Sequence, residues 1–184
     1  ATANILAIGA NAGCQSSGSQ NAFVGVNAGL KNTSGCCNSF FGQQTGQQNT
    51  TGCCNTFIGS GAASGNTTGG ANISLGMCSG PQSLGASGCH NFIGGFKSGS
   101  SLTSGSCNIL VGLCAGLSIT SGINNVAIGL LAGTNTGIGS ENVFIGSCTG
   151  FHNTEGRCNV FIGKYAGKCC LLYTSDAADD RYRG

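Results

Sequence analysis

Cysteine offers this sequence its widest range of chemistry. There are thirteen, and the adjacent pairs Cys36-Cys37 and Cys53-Cys54 stand seventeen residues apart. If a seventeen-residue step brings the chain back to the same phase, these four thiols stack on neighbouring turns. Stacked thiolates are zinc ligands by type. The usual C-x₂-C chelate loops are missing, however, and adjacent strand residues point to opposite faces, which counts against a metal. The normal strand spacing also falls inside the Cα–Cα range of a disulfide. Bridges Cys36–Cys53 or Cys37–Cys54 and free thiols therefore both stand as readings. Cys78, Cys114 and Cys148 recur every second step, roughly 10 Å apart by that spacing, too far to bridge one another. The odd total argues against a complete disulfide framework.

Other chemistry has thinner support. A hydrolase triad needs a histidine oriented by a carboxylate, and before the tail the chain offers only His90, His152, Glu141 and Glu155. His152 and Glu155 read as a solvated pair near a turn. Glu141 and Glu155 are out of phase, so paired-carboxylate catalysis is not indicated. Gly59-Ser-Gly61-Ala-Ala-Ser-Gly65 mimics a dinucleotide fingerprint without the helix or downstream acid that would support it. The expectation is a non-enzyme with no cofactor.

The elements that position these residues are set by a repeat. Asparagines fall at Asn21, Asn38, Asn55 and Asn72, then at Asn108, Asn125, Asn142 and Asn159, both sets stepping by seventeen. The gap from Asn72 to Asn108 is two steps plus two residues, with Asn91 near its middle. One glycine column follows the asparagines (Gly25, Gly42, Gly59, Gly76, Gly94, Gly112, Gly129, Gly146, Gly163). A second, including Gly18, Gly35 and Gly52, precedes them. The consensus is G-x-x-N-x-F-I-G-x-x-A-G-x-x-N-T-T. Segments such as Asn142-Val-Phe-Ile-Gly146 are short, β-branched and aromatic, a strand signature. No unit runs ten residues without glycine, which excludes helices. The predicted fold is all-β: a parallel β-solenoid or β-roll of about ten coils of about seventeen residues, covering 1–169. Its asparagines should form a structural ladder, and Ala28, Ala62, Ala115, Ala132 and Ala166 a tight interior column.

Strand alternation sends Val143 and Ile145 one way and Phe144 the other. The phenylalanine column comprises Phe23, Phe40, Phe57, Phe144 and Phe161, with Phe92 in the irregular coil. Both strand faces are thus apolar, and one coil interior can take only one of them. Side-by-side self-association is expected; the alternative is a wide coil whose other face is covered by another segment of the same chain.

Residues 170–184 leave the pattern and hold every aspartate of the chain. Cys170-Leu-Leu-Tyr-Thr-Ser-Asp-Ala-Ala-Asp-Asp180 resembles a translated transposase sequencing adapter, so this tail is expected to be disordered and without function. With no initiator methionine and no signal-like start at Ala1, the chain reads as a fragment. Seven basic and five acidic residues give a net charge of +2, which provides no field for nucleic acid. The apolar stretch Ile109 to Leu117 is too short for membrane insertion.

The repeats Asn125-Val-Ala-Ile-Gly129 with Ala132-Gly133, and Asn142-Val-Phe-Ile-Gly146, resemble head repeats of trimeric autotransporter adhesins. They are still more similar to the N-x-F-I-G-x-x-A-G repeats of phage and environmental-bacterial tail-fibre-like proteins. The resemblance covers residues 1 to about 167. It implies a homotrimeric structural or adhesive shaft, extracellular or on a cell or virion surface, attaching to a receptor or glycan. A different use is ice binding through a threonine ladder, Thr33, Thr50, Thr67, Thr103 and Thr120. The acceptor-type triplets at Asn32, Asn49, Asn66 and Asn72 match glycosylation sites but follow from the repeat itself.

Overall fold

The structure, a computed structural model, describes residues 4–168; the expectations for the tail lie outside the described residues. Ten strands follow one another: β1 (Ile5–Ile8), β2 (Asn21–Val24), β3 (Ser39–Phe41), β4 (Thr56–Ile58), β5 (Ile73–Leu75), β6 (Phe92–Gly94), β7 (Ile109–Val111), β8 (Val126–Ile128), β9 (Val143–Ile145) and β10 (Val160–Ile162). They form one parallel sheet in sequence order, so each strand pairs with the next coil's copy of itself. Ala22 meets Ser39, Phe23 meets Phe40 and Val24 meets Phe41. The chain is a parallel β-solenoid, with strands paired seventeen residues apart over most of its length.

Backbone hydrogen bonds bind the coils outside the strands too. Gly42 N–H donates back to Val24 O at 2.8 Å, and Thr33 N–H donates forward to Thr50 O at 2.9 Å. Corners between these ladders require left-handed backbone. Two non-glycine columns supply it: Asn27, Gln44, Cys78, Cys114 and Cys148 in one, Cys37, Cys54, His90, Cys107, Glu141 and Cys158 in the other. A third corner demands glycine for space as well as φ. Gly42 sits at φ 137°, and a Cβ there would lie 2.6 Å from the Gly59 carbonyl oxygen of the next coil.

Two expectations need correction at the irregular coil. The two-residue excess falls between Asn72 and Asn91, where exposed Leu84 leads the chain out and the register resumes at Ala86. Asn91 therefore begins a regular coil. Ile93, not Phe92, fills the interior, and Phe92 faces outward, 41 % exposed. The corner glycine of that coil is Gly95 (φ 121°), not Gly94, which ends β6 beside Leu75 and Val111.

In most coils the interior pairs a strand residue with one nine residues on, and in several of them the two volumes compensate. Phe23, Phe40, Phe57 and Phe144 share coils with buried Asn32, Asn49, Asn66 and Asn153. Ile93 and Leu110 share theirs with buried Leu102 and Ile119. Space for each aromatic ring comes from glycine: a Cβ on Gly29 would lie 2.6 Å from the Phe23 ring. The rings stack up the axis, Phe40 over Phe57 at 4.8 Å and 7°. Ser74 interrupts this column and bonds Ser79 at 2.7 Å, dividing the apolar interior into two clusters.

Converting coil 108–124 to the aromatic pairing tests this compensation. Leu110→Phe alone should cost about 1–3 kcal/mol by overpacking, and Ile119→Asn alone about 2–4 kcal/mol by lost apolar burial. The double variant should recover at least about 1 kcal/mol of the sum, because Gly99 and Gly116 flank Leu110 as Gly13 and Gly29 flank Phe23. Urea denaturation followed by circular dichroism measures all three.

Candidate functional site

The asparagines form the ladder that their spacing implied. Each lies just after a left-handed corner, where the turning backbone leaves amides and carbonyls without strand partners. Asn125 shows the unit. Its backbone N–H donates to Asn108 Oδ1 at 2.9 Å, and its Nδ2 reaches the same oxygen at 3.1 Å and Gly139 O at 2.8 Å. Its own Oδ1 accepts from Asn142 N–H and Nδ2, both at 3.1 Å. Asn38, Asn55, Asn72, Asn91, Asn108, Asn142 and Asn159 each accept this role toward their neighbours, starting from Asn21, whose Nδ2 bonds Gly35 O at 2.8 Å. All are buried. The ladder is the joint of the fold and leaves no amide for a ligand.

A second asparagine column was not foreseen. Asn49 Nδ2 donates to Asn32 Oδ1 at 2.7 Å, and Asn66 Nδ2 to Asn49 Oδ1 at 2.8 Å. It stops at Asn66, whose Oδ1 is unpartnered where the irregular coil begins. Asn32, Asn49, Asn66 and Asn72 are thus buried and bonded through Nδ2, so the asparagine of each acceptor-type triplet is inaccessible in the folded chain.

The threonines stack in register, but their hydroxyl protons are committed. Thr33, Thr50 and Thr67 donate to Thr50 O, Thr67 O and Ala86 O at 3.0, 3.0 and 2.9 Å. Thr103 donates to Thr120 O and Thr120 to Gly137 O, at 3.1 and 3.3 Å. The column extends the backbone ladder, and it presents methyls and lone pairs outward rather than free donors.

The cysteines separate by position. Cys36-Cys37 and Cys53-Cys54 lie in the bend before a strand, not within one, so strand alternation does not govern them. Cys36 Sγ lies 3.1 Å from Cys53 Sγ. Cys37 turns away on its left-handed corner and donates to Gln20 Oε1 at 3.2 Å, and Cys54 is exposed. Cys78, Cys114 and Cys148 alternate along one column with Lys97 and Leu131, which keeps them apart. No three His, Cys, Asp or Glu residues among those described form a group able to hold a metal. Cys158 donates to Glu141 Oε2 at 3.1 Å. That hydrogen bond, then desolvation and the carboxylate's charge, raises its thiol above the ordinary range, while Arg157 works in the opposite direction.

A further role was invisible in the sequence. The side chains of Cys53, Cys89, Ser106 and Ser140 each accept a backbone N–H from the preceding coil, at 3.2, 3.3, 3.0 and 3.1 Å. Each also donates to a carbonyl two residues back, at 3.2–3.4 Å. The only signal was a loose Cys/Ser preference two residues before the asparagine.

One long face of the rod is apolar and uncommitted. Outward strand positions carry Ile58, Ile73, Phe92, Ile109, Ile128 and Ile145, and the residue after the corner glycine adds Val26, Met77, Phe96, Leu113 and Leu130 in five coils, with Gln43, Ser60, Ser147 and Lys164 at that position in others; the apolar ones are all exposed. No described segment covers them. With about 4.8 Å per coil, the strip is about 45 Å long and about 13 Å wide. That is on the order of 600 Å², the top of the range for the largest patch on a monomer. The cleft at the irregular coil, lined by Asn72, Pro81, Asn91 and Leu102 among others, has room for about one water. No described helix is long and apolar enough to cross a membrane.

No protein-family model, curated protein or solved structure matches the chain. The fold and its surfaces define the class, a parallel β-solenoid whose ladders are structural and whose open face is apolar.

Two substitutions check these assignments. Asn125→Ala should cost about 2–4 kcal/mol, since it strips the Asn142 N–H and Gly139 O of partners, read as a lowered urea midpoint. Glu141→Gln removes the carboxylate that holds the Cys158 proton, so Cys158 should ionise at lower pH and alkylate several-fold faster near pH 8, measured by iodoacetamide labelling and mass spectrometry.

Proposed function

We propose that this chain is a shaft module of an extracellular fibre, on a cell or virion surface, that assembles side by side through its apolar strip into a homotrimer and serves attachment. The observation that carries this reading is the strip itself: Ile128 and Ile145 stand in register at the third position of their strands, 39 % and 37 % exposed, and Ile109 faces outward at the first position of its own, 41 % exposed. From coil 72–90 onward the first strand position turns from Ala22, Ser39 and Thr56 to Ile73, Phe92, Ile109 and Val126, so the strip broadens along the rod. No charged residue stands at an outward strand position. Lateral packing removes this surface from water at about 25 cal/mol per Å², and three copies about an axis let every strip face an interior. A rod held together by backbone and amide ladders resists shear along its length, as a shaft requires. The receptor or glycan it serves belongs to the same proposal.

Ice binding is the second reading, supported by the regular spacing of Thr33, Thr50 and Thr67. It ranks lower because those hydroxyls donate within the fold and because Gly137 breaks the column.

Multi-angle light scattering on the full chain, in reductant, tests the reading. A trimer is expected, and Ile109→Lys/Ile128→Lys should convert it to a monomer with an unchanged β-sheet circular dichroism spectrum, since both side chains point out of the coil. A monomeric parent chain that shows thermal hysteresis would instead favour the ice-binding reading.

A further inference from the structure

Two residues before a ladder asparagine, a side-chain oxygen or sulfur can cap a backbone N–H of the preceding coil, and serine does so at Ser106 and Ser140. Cysteine at Cys53 does the same and meets a second thiol besides. Here two such side chains stand on consecutive coils, with Cys36 N–H donating to Cys53 Sγ at 3.2 Å and Cys36 Sγ donating to the same sulfur at 3.1 Å. The next coil carries Gly70 at this position, so along this column Cys36 is the one thiol stacked on Cys53. The two backbones are held together here, Cys54 N–H donating to Cys36 O at 2.9 Å. Strand-like spacing lies within the Cα–Cα range of a disulfide, so a bond between these sulfurs needs only side-chain rotation. The neighbouring pair differs: Cys37 points to Gln20.

We propose that Cys36 and Cys53 are a redox modification site, a thiol pair that a small-molecule disulfide such as oxidised glutathione converts to an inter-coil bridge. Two donors converge on Cys53, which makes it the first nucleophile. Its proton passes to solvent, the resulting thiolate attacks one sulfur of the oxidant, the oxidant's S–S bond breaks, and one glutathione thiolate leaves. The Cys36 proton then passes to solvent and its sulfur attacks Cys53 Sγ. The Cys36–Cys53 bond forms as the second glutathione leaves. The protein gives up two electrons and two protons, and the oxidant becomes two thiols. The Cys53 hydrogen bond, desolvation and the charge of Cys53 hold Cys36 up to about 12. The mixed disulfide removes that charge, so the first step prepares Cys36 for the second. The product staples coil 21–37 to coil 38–54, fastening the shaft against unwinding.

The test equilibrates the full chain with oxidised glutathione, alkylates the remaining thiols and maps linkages by chymotryptic digestion with fragment-ion sequencing. A Cys36–Cys53 link is expected, with the melting temperature raised by about 5 °C over the reduced chain. Cys36→Ser and Cys53→Ser should each abolish link and shift, while Cys37→Ser and Cys54→Ser keep both. Full alkylation of Cys36 and Cys53 after oxidation, or a Cys37–Cys54 link in their place, would overturn the site. A bridge without a melting shift would overturn the staple.

Discussion

Everything in this molecule follows from stacking one backbone on another at the spacing of a parallel sheet. Within a strand the condition is met automatically, because alternate amides and carbonyls point up and down the axis. At a corner it is not, and the asparagine ladder meets it there. The side-chain amide of Asn108 or Asn125 supplies a donor and an acceptor where the left-handed residue before it has rotated the backbone away. A buried polar group left unpaired costs about 1–3 kcal/mol, so a coil shifted by one residue would lose several such bonds at once. The ladder therefore fixes register as well as adding stability. Corner glycines follow from the same condition, since a Cβ on Gly42 or Gly129 would strike a carbonyl one coil away.

A coil this tight has little interior. Phenylalanine leaves room beside it for asparagine, which can close a bond to the glycine three residues on, as Asn32 does with Gly35 O at 2.9 Å. Where Ile93 and Leu110 replace the ring, Leu102 and Ile119 fill the space and the second asparagine column lapses. Polar and apolar solutions thus alternate along one rod without changing its cross-section. The same narrowness forces the remaining strand residues outward. Ile58 and Ile128 are exposed because the interior has no room for a second strand face, and the coil cannot widen without breaking its corner ladder.

The period, the strands and the asparagine ladder were legible because each repeats in phase at least eight times, and the inward phenylalanines because Phe23, Phe40, Phe57, Phe144 and Phe161 keep that same phase. Errors gathered where phase was lost. The two-residue excess made Phe92 look like an interior residue and Gly94 like a corner, because an F-I-G run matches the consensus one position out of step. Conformation at non-glycine corners was hidden as well. Cys37, Cys107 and Glu141 share the left-handed region, although their types do not favour it; the neighbouring coil's carbonyl, as Ser19 O for Cys37 N–H at 3.1 Å, holds them there. The threonine spacing specifies a column but not the character of its surface, since spacing does not reveal where a hydroxyl proton goes.

Reactivity in such a fold depends on which residue stands one coil on. Cysteine beside glutamine or glutamate makes a polar pair, as Cys37 does with Gln20 and Cys158 with Glu141. Cysteine above serine reproduces a backbone cap, as at Cys89 and Ser106. Cysteine above cysteine, at Cys36 and Cys53, puts two sulfurs at 3.1 Å. The ladder imposes contact whatever the side chains are, so a single substitution in a column changes the chemistry of two coils. A repeat chain can in this way carry chemically distinct pairs on a uniform scaffold, without a pocket and without departing from its period.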